Sequence, residues 1–498
     1  MIAKSYATSI ETCMRELEED NRLLQGTIKV GNVKRGFGVR NLIPVGRNIM
    51  SGKELASIVN IPNQKLQREF KIDSINLKQI DAPKKMLKGK ILLGHLTKHG
   101  ETIGVFLSED RDLTCLPMFI ATKQGGGKTT FILNMCNDAI KAKHGLVLFD
   151  YIKNCATAKA LLEMHPECLQ ITFDQWENLC TFAFPEVEIL TTDTPYDRRI
   201  KANILSKEVK YMLNAMANDT EPMSRIMSEF LTAACKVVFI HNNKTLQDVY
   251  EVLIDEETRN SFMKMAIDED IFNAKSFEIK KLEELNEKDG YKRITGLLDR
   301  FSIINEDTLF QEMMMKPYKN NVNFVDIMNE SKPVVIMMPQ DIFTSKLHKD
   351  VICTYFMSRI RLAMSRRTNF DDMCHVVVDE LHQIPNTLTL VADTIAEPRK
   401  FSIQYVMSMH SLSQIENKTV KDKIMSVGCN FMLLKGLTSQ AFEEFKPMLN
   451  GDWEYEDLIN MDYDFGSLNI FMVDNTYKAF ITELPKPLTD SKGKMYIA

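Results

Sequence analysis

Apolar and polar residues along the 498-residue chain change their spacing near residue 112. Before that point, short pieces such as "KGKILLGHLTKHGETIGVFLS" alternate apolar and polar positions around glycines, a pattern typical of β-hairpins. One charged stretch, "RELEEDNRLLQ", has the spacing of a helix instead. The pattern predicts a small β-rich N-terminal domain over residues 1–112.

From residue 113 onward, apolar runs alternate with helical patterns. The strand "CLPMFIA" precedes a glycine-rich loop and the helix "TTFILNMCNDAIKAKH", and the apolar run "GLVLFD" then ends at Asp150. Four later runs also predict strands, at 333–339, 375–380, 402–410 and 430–436. Because strands that alternate with helices form parallel sheets through crossover connections, the predicted fold class is α/β with a mainly parallel sheet.

The strand pattern fades between about 190 and 318. Segments such as "YDRRIKANILSKEVKYMLNAM" and "ITGLLDRFSIINEDTLFQEMM" repeat apolar residues at helical spacing. We therefore predict an all-helical insertion at 190–318, which divides the sheet domain into 113–189 and 319–485. Residues 486–498 are predicted to be a C-terminal tail.

Composition restricts the function and the location. The formal net charge of −5 argues against a protein that binds nucleic acid over its whole surface, although a local basic channel is compatible with it. The ten cysteines include no Cys-x-x-Cys pair, which is typical of a reduced protein. The sequence shows neither a signal peptide nor an apolar run of the ~20 residues needed to span a bilayer. We expect a cytoplasmic protein that reaches a membrane only through a partner.

The stretch "PMFIATKQGGGKTTFILNMC" combines a strand, a glycine-rich turn and a helix that opens with Lys-Thr. In that arrangement, backbone N–H groups and the positive end of the helix converge on phosphate oxygens. The candidate nucleotide-binding residues are Gly125, Gly126, Gly127, Lys128, Thr129 and Thr130. Lys128 would contact the β- and γ-phosphates of ATP, and the Thr129 hydroxyl would hold Mg²⁺. Thr122 stands where such loops usually begin with glycine, and it fits there if its φ stays negative.

The segment "CHVVVDELHQIP" predicts a buried parallel strand that ends in two carboxylates, Asp379 and Glu380. Ligands bind at the carboxyl ends of strands in open α/β sheets. Asp379 would hold the water shell of Mg²⁺, and Glu380 would polarise the attacking water. The two motifs together disfavour the simpler alternatives, which are a plain glycine-rich turn and a strand capped by surface acids.

The segments "VVVDELHQIP", "EPRKFSIQYVMSMHSLSQIENK" and "MSVGCNFMLLKG" resemble the HerA/FtsK superfamily of hexameric motor ATPases, and within it the type IV secretion and conjugation ATPases. The likeness covers about 115–475 and includes "FDQWENLCTFAFPEVE", which resembles the segment before the helical insertion of those proteins. It implies a RecA-like P-loop core, ATP and Mg²⁺ as cofactors, and a homo-hexameric ring. The coupling proteins of the family often carry N-terminal membrane spans, which this sequence does not predict.

The resemblance also implies catalytic roles for two residues outside these motifs. His410 falls on the usual sensor Gln and would donate a hydrogen bond to a γ-phosphate oxygen, depending on its protonation and tautomer. Arg399 falls on the Arg before the sensor strand and would complete the site of a neighbouring subunit. A solvated loop charge is the alternative for Arg399, and Arg366 and Arg367 are rivals for the role. A metal site at His382 and His410 is disfavoured because no third ligand has suitable spacing.

The implied function is an ATP-driven, ring-forming motor that moves DNA in conjugation, in phage or plasmid transfer, or in DNA processing. The alternative is a secretion-machine ATPase that drives protein export or assembly without DNA, whereas Glu380 argues against a non-hydrolysing scaffold. In a ring, a few basic residues per subunit suffice to hold DNA phosphates. The candidates are Arg198, Arg199, Lys201, Arg359, Arg361, Arg366 and Arg367, although solvated helix faces are the simpler interpretation of such charges.

Overall fold

The computed structural model describes residues 81–98, 101–217, 223–449, 451, 453–461 and 463–497. These residues belong to one compact unit. The predicted helix "RELEEDNRLLQ" and the rest of the chain before residue 81 lie outside the described residues.

The described residues form one mixed sheet of 11 strands. In chain order the strands are β1 (Leu92–Lys98), β2 (Glu101–Phe106), β3 (Met118–Ala121), β4 (Gly145–Asp150), β5 (Leu169–Ile171), β6 (Pro333–Met337), β7 (Cys374–Val378), β8 (Ile403–Met409), β9 (Asn430–Leu434), β10 (Gly466–Val473) and β11 (Thr476–Glu483). Their order across the sheet is β2-β1-β11-β10-β9-β3-β8-β7-β4-β6-β5.

The strands from β9 to β5 in that order all pair in parallel. Strands β3, β7 and β9 are buried along their whole length, as expected where helices cover both faces of a parallel sheet. The parallel sheet is therefore confirmed, and the six strands predicted between 115 and 436 lie where the hydrophobic pattern placed them.

The other edge of the sheet is antiparallel. β10 pairs with β9 and β11, and the β1–β2 hairpin continues the sheet through the pair His95 and Glu483. A side chain at Gly94 would overlap the Glu483 carbonyl, so glycine lets the two strands approach. The hairpin covers an edge that β11 would otherwise expose. The predicted hairpin thus exists, but the boundary predicted at residue 112 falls inside the compact unit.

The helices either cover the sheet or form a helical segment between β5 and β6. They are α1 (Arg111–Thr114), α2 (Lys128–Lys141), α3 (Ala156–Met164), α4 (Pro195–Met216), α5 (Arg225–Val238), α6 (Leu246–Ile254), α7 (Glu256–Asp268), α8 (Phe277–Glu283), α9 (Thr295–Asn305), α10 (Thr308–Met315), α11 (Phe324–Asn329), α12 (Lys346–Met364), α13 (Pro385–Thr394), α14 (Lys418–Ser426), α15 (Ser439–Glu443) and α16 (Tyr455–Ile459). Helices α4 to α10 have the helical character predicted for 190–318. None of the described helices is long and apolar enough to cross a membrane.

Two apolar layers flank the sheet because successive strand residues point to opposite faces. On β3, Ile120 joins a core cluster with Phe131 of α2 and Leu161 of α3. Its neighbour Phe119 joins the larger cluster on the other face, which includes Phe356 of α12. The central strands are held from both sides, and their carboxyl ends are fixed relative to one another.

Candidate active site

The phosphate-loop sequence lies between the end of β3 and the start of α2, as predicted. Gly127 is the N-cap residue of α2 with a φ of 91°, and Gly125 has a φ of 81°. Both values lie in the left-handed region that glycine adopts without a steric penalty. The loop is centrally placed, since Ala121 at the end of β3 pairs with Met409 of β8 and Leu433 of β9.

Thr122 is accommodated by Gly126, the middle residue of the three loop glycines. Its φ is not positive, which confirms the condition set by the sequence. A Cβ added to Gly126 would overlap the Thr122 hydroxyl and lie 2.8 Å from its Cγ2, so the Thr122 side chain occupies the space beside Gly126. The Thr122 hydroxyl is buried without a hydrogen-bond partner among the described residues. The side chain that replaces the usual first glycine therefore depends on glycine at position 126.

Lys128 is a desolvated cation at the N-terminus of α2. It is 7% exposed, and burial lowers its pKa, while the charges of Asp379 and Glu380 act in the opposite direction. Its Nζ lies 3.5 Å from Nδ1 of His410. Among the described residues no carboxylate lies within ion-pair distance of Lys128. A buried ammonium without a paired anion is suited to receive an anionic ligand.

Thr129 and Thr130 follow Lys128 in the first turn of α2 and are half-buried. The Thr130 carbonyl accepts a hydrogen bond from Asn134 Nδ2 at 2.9 Å, and the same amide donates to the Lys486 carbonyl at 3.2 Å. The segment after β11 is thereby attached to the phosphate-loop helix.

Asp379 follows β7 and is held by the neighbouring strand. The Ser408 hydroxyl of β8 and the backbone N–H of Glu380, at 2.9 Å, both donate to Asp379 Oδ1. Burial raises the pKa of Asp379, and the Ser408 hydrogen bond and the Lys128 charge oppose that increase. Ser408 was missed by the sequence analysis, although a polar residue within the apolar run "IQYVMSM" was a usable signal.

Glu380 adopts a left-handed conformation with a φ of 53°, which is unfavourable for a non-glycine residue. Its backbone carbonyl accepts a hydrogen bond from the Tyr151 hydroxyl at 3.2 Å. Gln383 Nε2 donates to its Oε2 at 2.6 Å, and Lys349 Nζ of α12 donates to Gln383 Oε1 at 2.8 Å. The carboxylate is therefore oriented by a chain of side chains. Nothing in the linear pattern links Lys349 to Glu380.

His410 follows β8 and faces the phosphate loop. Its Nδ1 lies 2.9 Å from the Thr122 carbonyl oxygen, and because a carbonyl only accepts, Nδ1 carries a proton. Its backbone N–H donates to Gln414 Oε1 at 2.8 Å. Its Nε2 has no hydrogen-bond partner among the described residues, so in the neutral ring Nε2 presents a lone pair. Donation from Nε2 to a phosphate oxygen therefore requires a second proton on the ring.

No cluster of three or more His, Cys, Asp or Glu side chains in the described part of the chain is arranged to hold a metal ion. The rings of His382 and His410 are tilted with centroids 5.4 Å apart, and burial lowers the pKa of His382. The predicted Mg²⁺ ligands, Thr129 and Asp379, do not require such a cluster, because phosphate oxygens and water supply the other positions.

Arg399 lies at the opposite end of β8, before its first residue. It is 47% exposed, and its Nε and Nη2 lie 3.0 and 2.8 Å from Oδ1 of Asp112. The seven residues of β8 lie between it and His410, a strand length of ~20 Å that places Arg399 away from its own phosphate loop. Its rivals are engaged with the backbone: Arg366 donates to the Leu362 carbonyl, and buried Arg367 donates to several carbonyls.

No protein-family model matches the chain, and no curated protein matches it. Solved structures do match. The bacterial conjugative coupling protein TrwBdeltaN70 in complex with sulphate has a TM-score of 0.51 and 12% identity, covering 82% of this chain and 94% of the TrwBdeltaN70 chain. TrwB in complex with ADP and Mg²⁺ has a TM-score of 0.50 and 12% identity, with 84% and 96% coverage.

VirB4 of Thermoanaerobacter pseudethanolicus matches with a TM-score of 0.51 and 13% identity, over 80% of this chain and 96% of VirB4. The chain has the P-loop ATPase fold of TrwB and VirB4. The fold class expected from the resemblance to conjugation and type IV secretion ATPases is confirmed.

Proposed function

We propose that this chain is an ATP-hydrolysing motor that assembles into a ring and moves DNA. The observation that carries the proposal is Lys128, a buried cation without an anionic partner. It lies at the start of a helix and faces the carboxyl ends of two neighbouring strands. Asp379 and Glu380 supply the carboxylates that metal-dependent phosphoryl transfer needs.

Each residue then has a defined part in the proposed reaction. The N–H groups of Gly125, Gly126 and Gly127 and the Lys128 ammonium hold the phosphates, with Thr130 beside them in the first turn of α2. Thr129 and Asp379 would hold Mg²⁺, which would supply positive charge beside the phosphates. Asp379 uses Oδ1 for its two protein hydrogen bonds, which leaves Oδ2 without a protein donor among the described residues. The TrwB structure with ADP and Mg²⁺ supports ATP and Mg²⁺ as cofactors.

Glu380 polarises the attacking water. The Gln383–Lys349 chain keeps its carboxylate in one orientation before the nucleotide arrives, which lowers the cost of reorganisation during the reaction. His410, which follows the neighbouring strand β8, contacts the γ-phosphate. Arg399 acts on the site of the next subunit, and this requirement is the reason for proposing a homo-hexameric ring.

Most of the basic residues considered as DNA-binding candidates are already engaged by other groups of the protein. Arg359 is fully buried against Glu186, and Arg367 is buried too, so neither side chain is available to DNA. Arg361 pairs with Glu208, Arg198 with Glu269 and Lys201 with Asp193. Arg366 donates to the Leu362 carbonyl, whereas Arg199 on α4 is exposed. It is the residue of the original set that we propose to contact the DNA backbone.

The test is the ATPase rate of the full chain with double-stranded DNA, with single-stranded DNA and without DNA, at one fixed salt concentration because phosphate contacts depend steeply on salt. We expect stimulation by DNA that Arg199→Ala reduces, with Lys207→Ala on the same helix as the matched control. Light scattering with an ATP analogue and DNA should show a hexamer. An active ATPase that no DNA stimulates would instead favour the alternative, an ATPase for protein export or assembly.

A further inference from the structure

The position of a nucleotide on the loop fixes the side on which its nucleoside must lie. Strand β3 lies between β8 on one side and β9 on the other. His410, Asp379 and Glu380 all follow strands on the β8 side. Because the proposed function places the γ-phosphate next to these groups, the sugar and base must leave the loop toward the β9 side.

A large exposed aromatic residue lies on that side. Phe465 immediately precedes β10, and it is 58% exposed. A Cβ added to Gly127 would lie 3.6 Å from Cδ1 of Phe465 and 3.4 Å from Cδ1 of Leu484. The ring thus lies against the last glycine of the phosphate loop.

The backbone that carries this ring is fixed by hydrogen bonds. The Phe465 carbonyl accepts from the backbone N–H of Leu484 at 2.8 Å, and the carbonyl of Gly466 accepts from Lys435 N–H at 2.7 Å. The Lys435 ammonium donates to the carbonyls of Met461 and Tyr463 at 3.0 and 2.9 Å. An exposed ring on an anchored backbone is already organised to receive a flat ligand, because little conformational freedom is lost on binding.

We propose that Phe465 is the platform on which the base of the bound nucleoside triphosphate stacks. This inference rests on the proposed function and adds a subsite for the base. Every nucleobase has a π-face, so stacking on Phe465 holds the nucleotide without reading hydrogen-bond edges. The subsite therefore distinguishes a nucleoside triphosphate from inorganic tripolyphosphate, and it should accept both ATP and GTP.

The experiment compares two ligands by titration calorimetry on the full chain with Mg²⁺. ATP can use the loop and the ring, whereas tripolyphosphate can use only the loop. Phe465→Ala should weaken ATP binding about tenfold or more, from the typical strength of base stacking on an aromatic ring, and leave tripolyphosphate binding unchanged. Phe465→Tyr keeps a π-face and should retain ATP affinity. Phe277→Ala is the matched control, because Phe277 is 51% exposed on α8 in the helical segment.

The outcomes separate this inference from the proposed function. Unchanged ATP affinity in Phe465→Ala would overturn the base subsite while leaving the phosphate loop intact. Equal losses of ATP and tripolyphosphate affinity would also overturn it, because the ring would then support the loop rather than the base. Failure of the parent chain to bind either ligand would overturn the proposed function as well. A Phe465→Trp variant adds a direct signal, since its fluorescence should respond to ATP and not to tripolyphosphate.

Discussion

The two ends of the parallel sheet use polar residues in different ways. At the amino end, His375 of β7 uses both ring nitrogens: Nε2 accepts from His144 Nδ1 at 3.0 Å, and Nδ1 donates to Gln404 Oε1 at 2.9 Å. Gln404 then donates to the Leu116 carbonyl. Burial is the main cause that lowers the pKa of His375 to about 3 and that of His144 to about 4. The two histidines are therefore neutral, and both ring nitrogens of His375 have hydrogen-bond partners.

At the carboxyl end, hydrogen bonding among the described residues is incomplete. The Thr122 hydroxyl and Nδ1 of His382 are buried without a partner, Nε2 of His410 has none, and Lys128 lacks a paired carboxylate. An unsatisfied buried polar group costs about 1–3 kcal/mol, so a cluster of them is costly unless a ligand pairs with them. We infer from this difference that His375 has a structural role, whereas His410 lies in a site whose unpaired polar groups can bind a ligand.

The largest expected effect concerns Arg399, the exposed arginine at the amino end. If it acts on the next subunit, Arg399→Ala should lower ATP turnover by a factor of about 10³ to 10⁵. Arg111→Ala is the matched control, because Arg111 is equally exposed at 47% and also pairs with an exposed aspartate, Asp371. A steady-state ATPase assay of both variants measures the difference.

Mixing separates an action in trans from any other loss of activity. Arg399→Ala subunits combined with Glu380→Gln subunits should regain turnover, since some sites in mixed rings pair an intact Glu380 with a neighbour's intact Arg399. Mixed rings that assemble without any rescue would exclude the trans role. The search would then move to Arg366 and Arg367, although both are held by backbone carbonyls.

Glu380→Gln should reduce turnover by a factor of about 10² to 10⁴ and retain ATP binding, because an amide cannot polarise water as a carboxylate does. Calorimetry and an ATPase assay on the same preparation measure both properties. Gln383→Leu breaks the hydrogen bond that orients Glu380 and should lower kcat more than it changes KM. Parental turnover in Glu380→Gln would remove Glu380 from the mechanism.

Thr122 and Gly126 should be energetically coupled. Gly126→Ala should cost about 1–3 kcal/mol of unfolding free energy through overpacking against Thr122, and clearly less in a Thr122→Gly background. Gly125→Ala is the control, because its cost comes from a φ of 81° in open space and should be the same in both backgrounds. Denaturant titration of the five variants and the parent gives the coupling, and additive costs at position 126 would contradict the arrangement of the loop.

The histidine chain at the amino end predicts a pH dependence of stability. The folded state keeps His144 and His375 neutral, so below pH 6.5 the unfolded chain binds more protons, and the unfolding free energy falls from there toward pH 4. His144→Gln should reduce that slope by at most about 1.4 kcal/mol per pH unit and leave hydrolysis at neutral pH unchanged. Burial raises the pKa of Asp150 and Asp350 to about 6, so these two groups change the unfolding free energy with pH in the opposite direction. The slope of the variant is therefore compared with the slope of the parent. An identical slope would contradict the buried chain.

The sequence predicted those features that depend on neighbouring positions in the chain. Apolar runs placed six of the seven parallel strands and missed the short β5, and the order of strand, loop and helix placed Lys128, Asp379, Glu380 and His410 at the carboxyl ends of the central strands. The pairing of β1 with β11 joins residues almost 400 positions apart, and no local pattern specifies it. Because of this pairing, the boundary predicted at residue 112 separates β1 and β2 from the sheet to which they belong.

The supporting contacts of the site were the least predictable part. Lys349 is linked to Glu380 through Gln383 only because α12 packs beside the turn after β7, and Phe465 reaches Gly127 only through the β9–β10 connection. Such contacts are set by three-dimensional packing rather than by spacing. The sequence did offer one signal of such contacts, which is a single polar residue within an apolar strand. Ser408, His375 and Gln404 are examples, since buried polar groups need hydrogen-bond partners.

The most direct test of the central claim is Mg²⁺-ATP binding and hydrolysis by Lys128→Ala, measured alongside its unfolding free energy. Lys128 is a desolvated cation with no ion pair among the described residues, so its removal should leave the protein folded and at least as stable as the parent. We predict that this folded variant neither binds nor hydrolyses ATP. A folded Lys128→Ala protein, free of contaminating ATPases, that hydrolyses ATP at the parental rate would contradict the account.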